Sequence, residues 1–370
     1  MAGAPPARLP QDVLLELCRR LLASGLAIYR VAVFVRTLHP NVLGRSFIWN
    51  EARDAVETGE AAYDLLESDI FLKSPVRVVF LEHVEIRRRL ADPACPRDFP
   101  ILEDLVKEGV TDFLALPLRF VNAEVHVATF ATRRAGGFDE SEVAALRQVA
   151  TGLARVAEIY AYMRKTRNIL DAYLGHQAGE KVLAGQIRRG DGEDIHAVIW
   201  FCDLRDSTPL ADSMSRDAFL RLLNEFFECV LGPVLEKKGE VLRFIGDAAL
   251  AIFPVGANAA EACSRALDAA KEAVSRMRKL NESRQTPLRF GIGLHLGDVL
   301  YGNIGTPSRI EFTVIGAAAN EAARIESKCK ELGADLIISA PVARQLGGKL
   351  RSLGEHRLRG VGAPIELFTV

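Results

Sequence analysis

Two aspartates stand where a carboxylate is well placed to hold a cation. Asp203 ends the apolar run "HAVIWFCDL", and Asp247 sits in the tight turn of "VLRFIGDAALAIF". Strand ends present side chains at the rim of a sheet, so the two converge if their strands are neighbours. Two hard carboxylates beside a phosphate chain suit a pair of Mg²⁺ ions, which favour oxygen ligands. Each Asp taken alone is also accounted for as a turn residue or a cap on its own backbone. Arg243 precedes Asp247 by four residues, a second charge in a hairpin that is otherwise apolar. Asn320 and Arg324 are also four apart, in "VIGAAANEAARIE". On a helix that spacing places both on one face, within reach of one ligand.

The elements that must position these groups follow from periodicity. The segment "QDVLLELCRRLLASGL" repeats apolar residues at three and four, which predicts an amphipathic helix. "YRVAVFVRTL", "VRVVFLE", "DFLALPLRF" and "AEVHVATFATR" are strand-like, the last two joined by a short hairpin at Val121-Asn122. A glycine break and "DESE" then open a long helix with Val143, Leu146, Val149, Leu153, Val156, Tyr160 and Met163 at spacings of three and four. Such a seam suits two parallel helices, or the packing of one helix on its own domain. The Gly- and charge-rich stretch 175–196 is expected to be a connector. Beyond it, strand, helix, hairpin, helix and strand follow in the order of a split βαβ α+β domain. The spaced glycines of "GIGLHLG" lack the spacing and context of a dinucleotide fingerprint, and no Walker A motif is present.

Bulk properties narrow the class. A chain of 370 residues suggests two domains. A formal net charge of −1, with 26% charged and 49% hydrophobic residues, gives no electrostatic case for nucleic acid or an acidic membrane. Six cysteines without a CxxC pair indicate neither a zinc site nor a disulfide scaffold. The N-terminus lacks a signal-peptide pattern, and no run approaches the roughly 18 apolar residues of a membrane span. A cytoplasmic protein is the expectation.

Four motifs carry a resemblance. "FCDLRDST" (201–208), "FIGDAALAIF" (244–253), "GIGLHLGDVLYGNIG" (291–305) and "FTVIGAAANEAARIE" (312–326) resemble the class III nucleotidyl (adenylate/guanylate) cyclase catalytic domain, in that family's order and spacing. The resemblance implies a C-terminal ferredoxin-like (βααβ-type) α+β domain over residues 196–370. It implies that Asp203 and Asp247 bind two metal ions per site, Mg²⁺ or Mn²⁺. Asn320 and Arg324 match the pair that orients the ribose and stabilises charge on the α-phosphate. The implied reaction is attack of the ribose 3′-oxygen on the α-phosphorus with pyrophosphate leaving, a step that rests on positioning and electrostatics. In the family these two pairs meet from different domains, so one such domain per chain implies a homodimer.

Base recognition departs from the family pattern. Adenylate-forming members commonly carry Lys where Arg243 stands, and Asp or Thr where Thr313 stands. The Thr313 hydroxyl can accept a bond from an adenine amino group. The planar fork of Arg243 favours a paired acceptor, such as guanine O6 and N7, more than a Lys would. The Glu that typically reads guanine is absent from both positions. ATP is therefore the expected substrate, with GTP or a pyrimidine nucleotide, or a non-catalytic ligand-binding module on the same fold, as alternatives. Ala317 replaces an Asp common in related sequences, read as a change at a helix start. The family's triphosphate-binding basic residue aligns with Val361, which leaves Arg359, two residues earlier, as the candidate. Residues 1–140 resemble a GAF-like α+β sensor by pattern, with a possible small-molecule ligand, and residues 141–195 are expected to be a dimerising helix and transducer connector.

Overall fold

The structure is a computed structural model that describes residues 9–347 and 350–370. It divides into two compact units, the first ending at Ala172 and the second beginning at Tyr173.

The first unit is built on a six-stranded antiparallel sheet. Its strands are β1 (Arg30–Arg36), β2 (Gly44–Asn50), β3 (Ala55–Ala61), β4 (Ile86–Arg88), β5 (Asp112–Arg119) and β6 (Val125–Thr132), in the order β3-β2-β1-β6-β5-β4. Alternation along β1 sends Val31 and Val33 to one face, where α1 (Pro10–Ala23) and the long α5 (Glu140–Leu174) bury Leu14, Cys18, Val143 and Leu146. On the other face the short α2 (Asp69–Leu72), α3 (Pro75–Glu82) and α4 (Pro100–Lys107) lie along the chain between β3 and β5, and Val79, Leu102 and Leu105 pack with Phe113 and Val127.

The segment "VRVVFLE" is helical, not the strand its composition suggests. Ser74 caps it, accepting a bond from Arg77 N, and Pro75 supplies a preset φ at the first helical position. The β2–β3 hairpin lacked a sequence signal because β3, an edge strand, is mostly exposed and alternates weakly. The seam of α5 divides. Val143, Leu146 and Leu153 are buried in their own domain, while Val156 and Met163 are exposed.

The second unit opens with α6 (His176–Leu183), inside the stretch read as a connector. Its sheet strands are β7 (Gly192–Leu204), β8 (Glu240–Ile245), β9 (Ala248–Pro254), β10 (Phe290–Thr306), β11 (Arg309–Ile315), β12 (Leu336–Ser339), β13 (Arg351–His356) and β14 (Ile365–Thr369). The order is β13-β14-β12-β10-β7-β9-β8, with β11 paired to the outer part of β10. Along β7, Val198, Trp200 and Cys202 face a core closed by α8 (Arg216–Glu236) and α9 (Ala259–Glu282), just after the one-turn α7 (Ser207–Asp212). Ala197 and Ile199 face the opposite side, with Ala178 of α6 and Ala318 and Ala322 of α10 (Ala317–Leu332). The short α11 (Ala340–Ala343) follows β12. Both units are α+β, as expected.

Helix α10 lies unusually close to β10. A Cβ on Gly293 would stand 2.7 Å from Ala322 O and 2.6 Å from Glu326 N, so only glycine admits this approach. That contact presses the buried face of α10 onto the centre of the sheet and fixes the direction of its other face.

Candidate active site

Asp203 belongs to the odd-numbered face of β7, the face that α10 covers. It pairs in register with Ala248 of β9 on one side and Gly291 of β10 on the other. The β8–β9 turn, with Gly246 at φ +66°, delivers Asp247 to the same rim, where Leu204 N donates to Asp247 O at 3.2 Å. The two carboxylates are adjacent as the strand ends suggested. Burial, the Asp247 charge and a hydrogen bond with Asp247 push the Asp203 carboxyl above the ordinary range. Asp203 Oδ1 is buried with no hydrogen-bond partner.

A third carboxylate stands behind them. Glu326 of α10 is 7% exposed and points at the sheet where a side chain on Gly291 would be. Burial first, then the Asp203 charge, pushes it up to about 7. Its position was readable in principle, since Glu326 follows Ala322 by four on the buried stripe of α10. A carboxylate within an apolar stripe is the signal that the motif match alone does not supply.

Asn320 and Arg324 share the face of α10 that turns away from the sheet. Asn320 is exposed and Arg324 half-buried. Among the described residues Arg324 forms no ion pair, so the salt-bridged surface helix that would make it ordinary is not what is found. The C-terminal loop lies against it, because a Cβ on Gly360 would stand 3.3 Å from Arg324 Nη1. Arg359, next to Gly360, is exposed. The helix itself is held by His295 of β10, whose Nε2 lies 3.1 Å from Glu321 Oε2 and Nδ1 3.0 Å from Ser339 Oγ. Burial lowers that imidazole to about 4.

Arg243 and Thr313 approach from β8 and β11. A register shift between Val241 and Arg243 marks a bulge that re-aims the strand. Thr313 is 3% exposed and its hydroxyl lacks a partner. Glu311, two residues earlier on the same face of β11, accepts a 2.9 Å bond from Arg243 Nη1. Sequence reasoning missed Glu311, although its alternation with Thr313 was the available signal. Among the described residues no hydrogen bond or ion pair joins Asp203 or Asp247 to Asn320 or Arg324.

The donor set suits hard divalent cations. The Asp203 carboxyl stands against the Asp247 charge, which a cation would neutralise, and one Asp203 oxygen is orphaned. No group of three or more His, Cys, Asp or Glu able to hold a metal exists among the described residues. Two carboxylates with remaining positions open is the arrangement expected when substrate phosphates complete the shell.

Residues 193–367 match the family described as the adenylate and guanylate cyclase catalytic domain. Among curated relatives, an uncharacterized protein of Mycobacterium tuberculosis (strain CDC 1551 / Oshkosh) is 33% identical over 211 residues, covering 55% of this chain and 37% of its own length. Another, from M. tuberculosis (strain ATCC 25618 / H37Rv), is 35% identical over 215 residues, covering 56% of this chain and 39% of its own. The matched region thus spans about two fifths of these relatives. A solved structure of a bacterial light-regulated adenylyl cyclase aligns with a TM-score of 0.52 at 18% identity, over 69% of this chain and 83% of that one, and shares the fold. No helix among the described residues is long and apolar enough to cross a membrane. Residues 193–367 are thus similar, in sequence and in fold, to the adenylate and guanylate cyclase catalytic domain.

Proposed function

We propose that the chain is an adenylate cyclase that converts ATP to 3′,5′-cyclic AMP and pyrophosphate. The observation that carries this reading is the Asp203–Asp247 pair, two carboxylates held together at a sheet rim against their own repulsion. Structural proteins seldom keep such a pair without a cation, because like charges at contact distance raise each other's pKa. When bound, two Mg²⁺ or Mn²⁺ ions supply charge that neutralises the triphosphate and lowers the pKa of the ribose 3′-hydroxyl. The chain's own residues do the rest. Asp203 and Asp247 hold the cations, Asn320 orients the ribose, and Arg324 donates to the α-phosphate as negative charge builds there. Arg359, on the loop beside Arg324, takes the triphosphate tail. Arg243 donates to a ring nitrogen of the base and Thr313 accepts from its amino group.

The two half-sites imply a homodimer. The metal rim and the Asn320–Arg324 face are not joined in one chain, and a second copy supplies the missing half. Exposed Phe244, Ile245, Leu300, Ile304 and Ile310, on the β8 tip and the β10–β11 arm, give that partner an apolar surface.

The N-terminal unit is proposed to regulate the enzyme through a small-molecule ligand. A cavity of about 660 Å³ opens on the α3 face of its sheet, lined by Phe34, Leu65, Phe71, Phe80 and Phe113. Arg30 also lines it, and burial lowers the pKa of this guanidinium.

Incubation of the purified protein with each of the four ribonucleoside triphosphates and Mn²⁺, with products identified by mass spectrometry, tests the central reading. Cyclic AMP as the main product is expected. A different cyclic nucleotide overturns the base assignment, and no cyclic product from any of them overturns the enzyme.

A further inference from the structure

We infer that Glu311 makes Arg243 a single-donor reader of the base and so sets the preference for ATP over GTP. This rests on the proposed placement of Arg243 at the base. The difficulty with an arginine there is its fork, which offers paired N–H donors that match guanine O6 and N7. In this chain the fork is partly committed. Nη1 donates to Glu311 Oε1 at 2.9 Å. Nε is buried and without a partner, turned into the protein rather than toward a ligand. Nη2 is the arm left for the base, and one donor suits a lone ring nitrogen of adenine.

The Glu311 carboxylate acts in the same direction. It lies on the face of β11 that carries Thr313, since residues two apart on a strand share a face. A carboxylate beside the 6-position of a purine attracts the amino group of adenine and repels the keto oxygen of guanine. With Glu311 at the 6-position and Arg243 at the ring nitrogen, the pair presents an acceptor and then a donor, the order that matches adenine; guanine needs the reverse order. An unpaired arginine would present two donors.

The test is the ratio of kcat/KM for ATP to that for GTP, measured on the full chain with Mn²⁺ in wild type, Glu311→Gln and Glu311→Ala. Both substitutions free Nη1, and the ratio is expected to fall by about tenfold or more, the scale of one specific base contact. A merely structural loss would lower both substrates together and leave the ratio unchanged. Adding Arg243→Lys to Glu311→Ala should return the ratio toward ATP, because lysine has no fork to restrain. A ratio within about twofold of wild type in both Glu311 variants overturns the inference. Displacement of a fluorescent mant-ATP by ATP and by GTP gives the same ratio without turnover, so an inactive protein would sink the cyclase reading while the role of Glu311 is still decided.

Discussion

The buried carboxylates of the N-terminal unit and the carboxylate rim of the C-terminal unit treat charge in opposite ways. In the N-terminal unit Asp112 is fully buried, yet Arg87 Nη2 reaches its Oδ2 at 2.9 Å and Phe138 N donates to the same oxygen at 3.1 Å. Glu158, also buried, accepts from Val121 N and from Arg155. In the C-terminal unit buried Glu240 is likewise bonded, accepting from Tyr301 Oη and Ala178 N, but at the rim of β7 and β9 half-buried carboxylates face each other. Asp203, Asp247 and Glu326 cluster with no ion pair among them, and Asp203 and Glu326 are held above the ordinary range. Paired buried charge is architecture; unpaired buried charge of one sign is a site waiting for a counter-ion. The contrast is the physical ground, independent of any motif, on which the chemistry is proposed for the C-terminal unit.

The sharpest way to break the contrast is to remove the unpaired set. Asp203→Ala or Asp247→Ala should reduce cyclic nucleotide formation by roughly a thousandfold or more, since cation-held charge stabilisation is worth several kcal/mol. The folded domain should survive, because deleting one of two repelling carboxylates relieves strain. Full activity in both variants would remove the metal assignment.

Removing a member of the paired set should do the reverse. Arg87→Ala leaves Asp112 buried without its cation and should destabilise the N-terminal unit by about 3 kcal/mol, the usual cost of breaking a buried pair. Urea unfolding followed by circular dichroism reads this loss. An unchanged midpoint would mean that Asp112 gains nothing from Arg87.

The pH dependence separates the two further. Glu326 has a folded-state pKa of about 7, above its ordinary 4.5. Its contribution to stability is therefore present below about 4.5 and is lost as pH rises through about 7, on the order of 3 kcal/mol. His295 opposes it over most of that range. Lowered to about 4 from 6.5, it contributes stability that is present above 6.5 and lost as pH falls through about 4. The Glu326 effect is therefore read as a difference: in metal-free protein, the thermal midpoint of wild type relative to Glu326→Gln should fall as pH rises from 5 to 8. A difference that does not change with pH would contradict the burial of Glu326. The smallest effect expected is at the N-terminal cavity, where Ser46→Trp, on its lining, should shift basal cyclase output by only a few-fold while leaving the ATP to GTP ratio untouched.

Much of the C-terminal unit was legible because the residues proposed for its site sit at element ends or on one helix face. Asp203 closes a strand, Asp247 occupies a glycine turn, and Asn320 and Arg324 are spaced for one helix face. Local chemistry fixes each of these. Glu326 and Glu311 were not legible as partners, since their meaning depends on which strand lies opposite, a long-range fact. The helix over "VRVVFLE" was misread because β-branched residues argue for a strand, while its cap at Ser74 and Pro75 lies just outside the apolar run. The division of the α5 seam was not legible, since burial of Val143, Leu146 and Leu153 depends on a sheet that periodicity alone does not reveal.

The claim that two chains build each active site is tested most directly by complementation. Asp203→Ala and Arg324→Ala proteins should each be inactive alone. Co-refolded in equal amounts, half the dimers are mixed and each mixed dimer keeps one intact site, so about a quarter of wild-type activity should return. No recovery, in a sample where mixed dimers are demonstrated by mass spectrometry, would contradict the composite site.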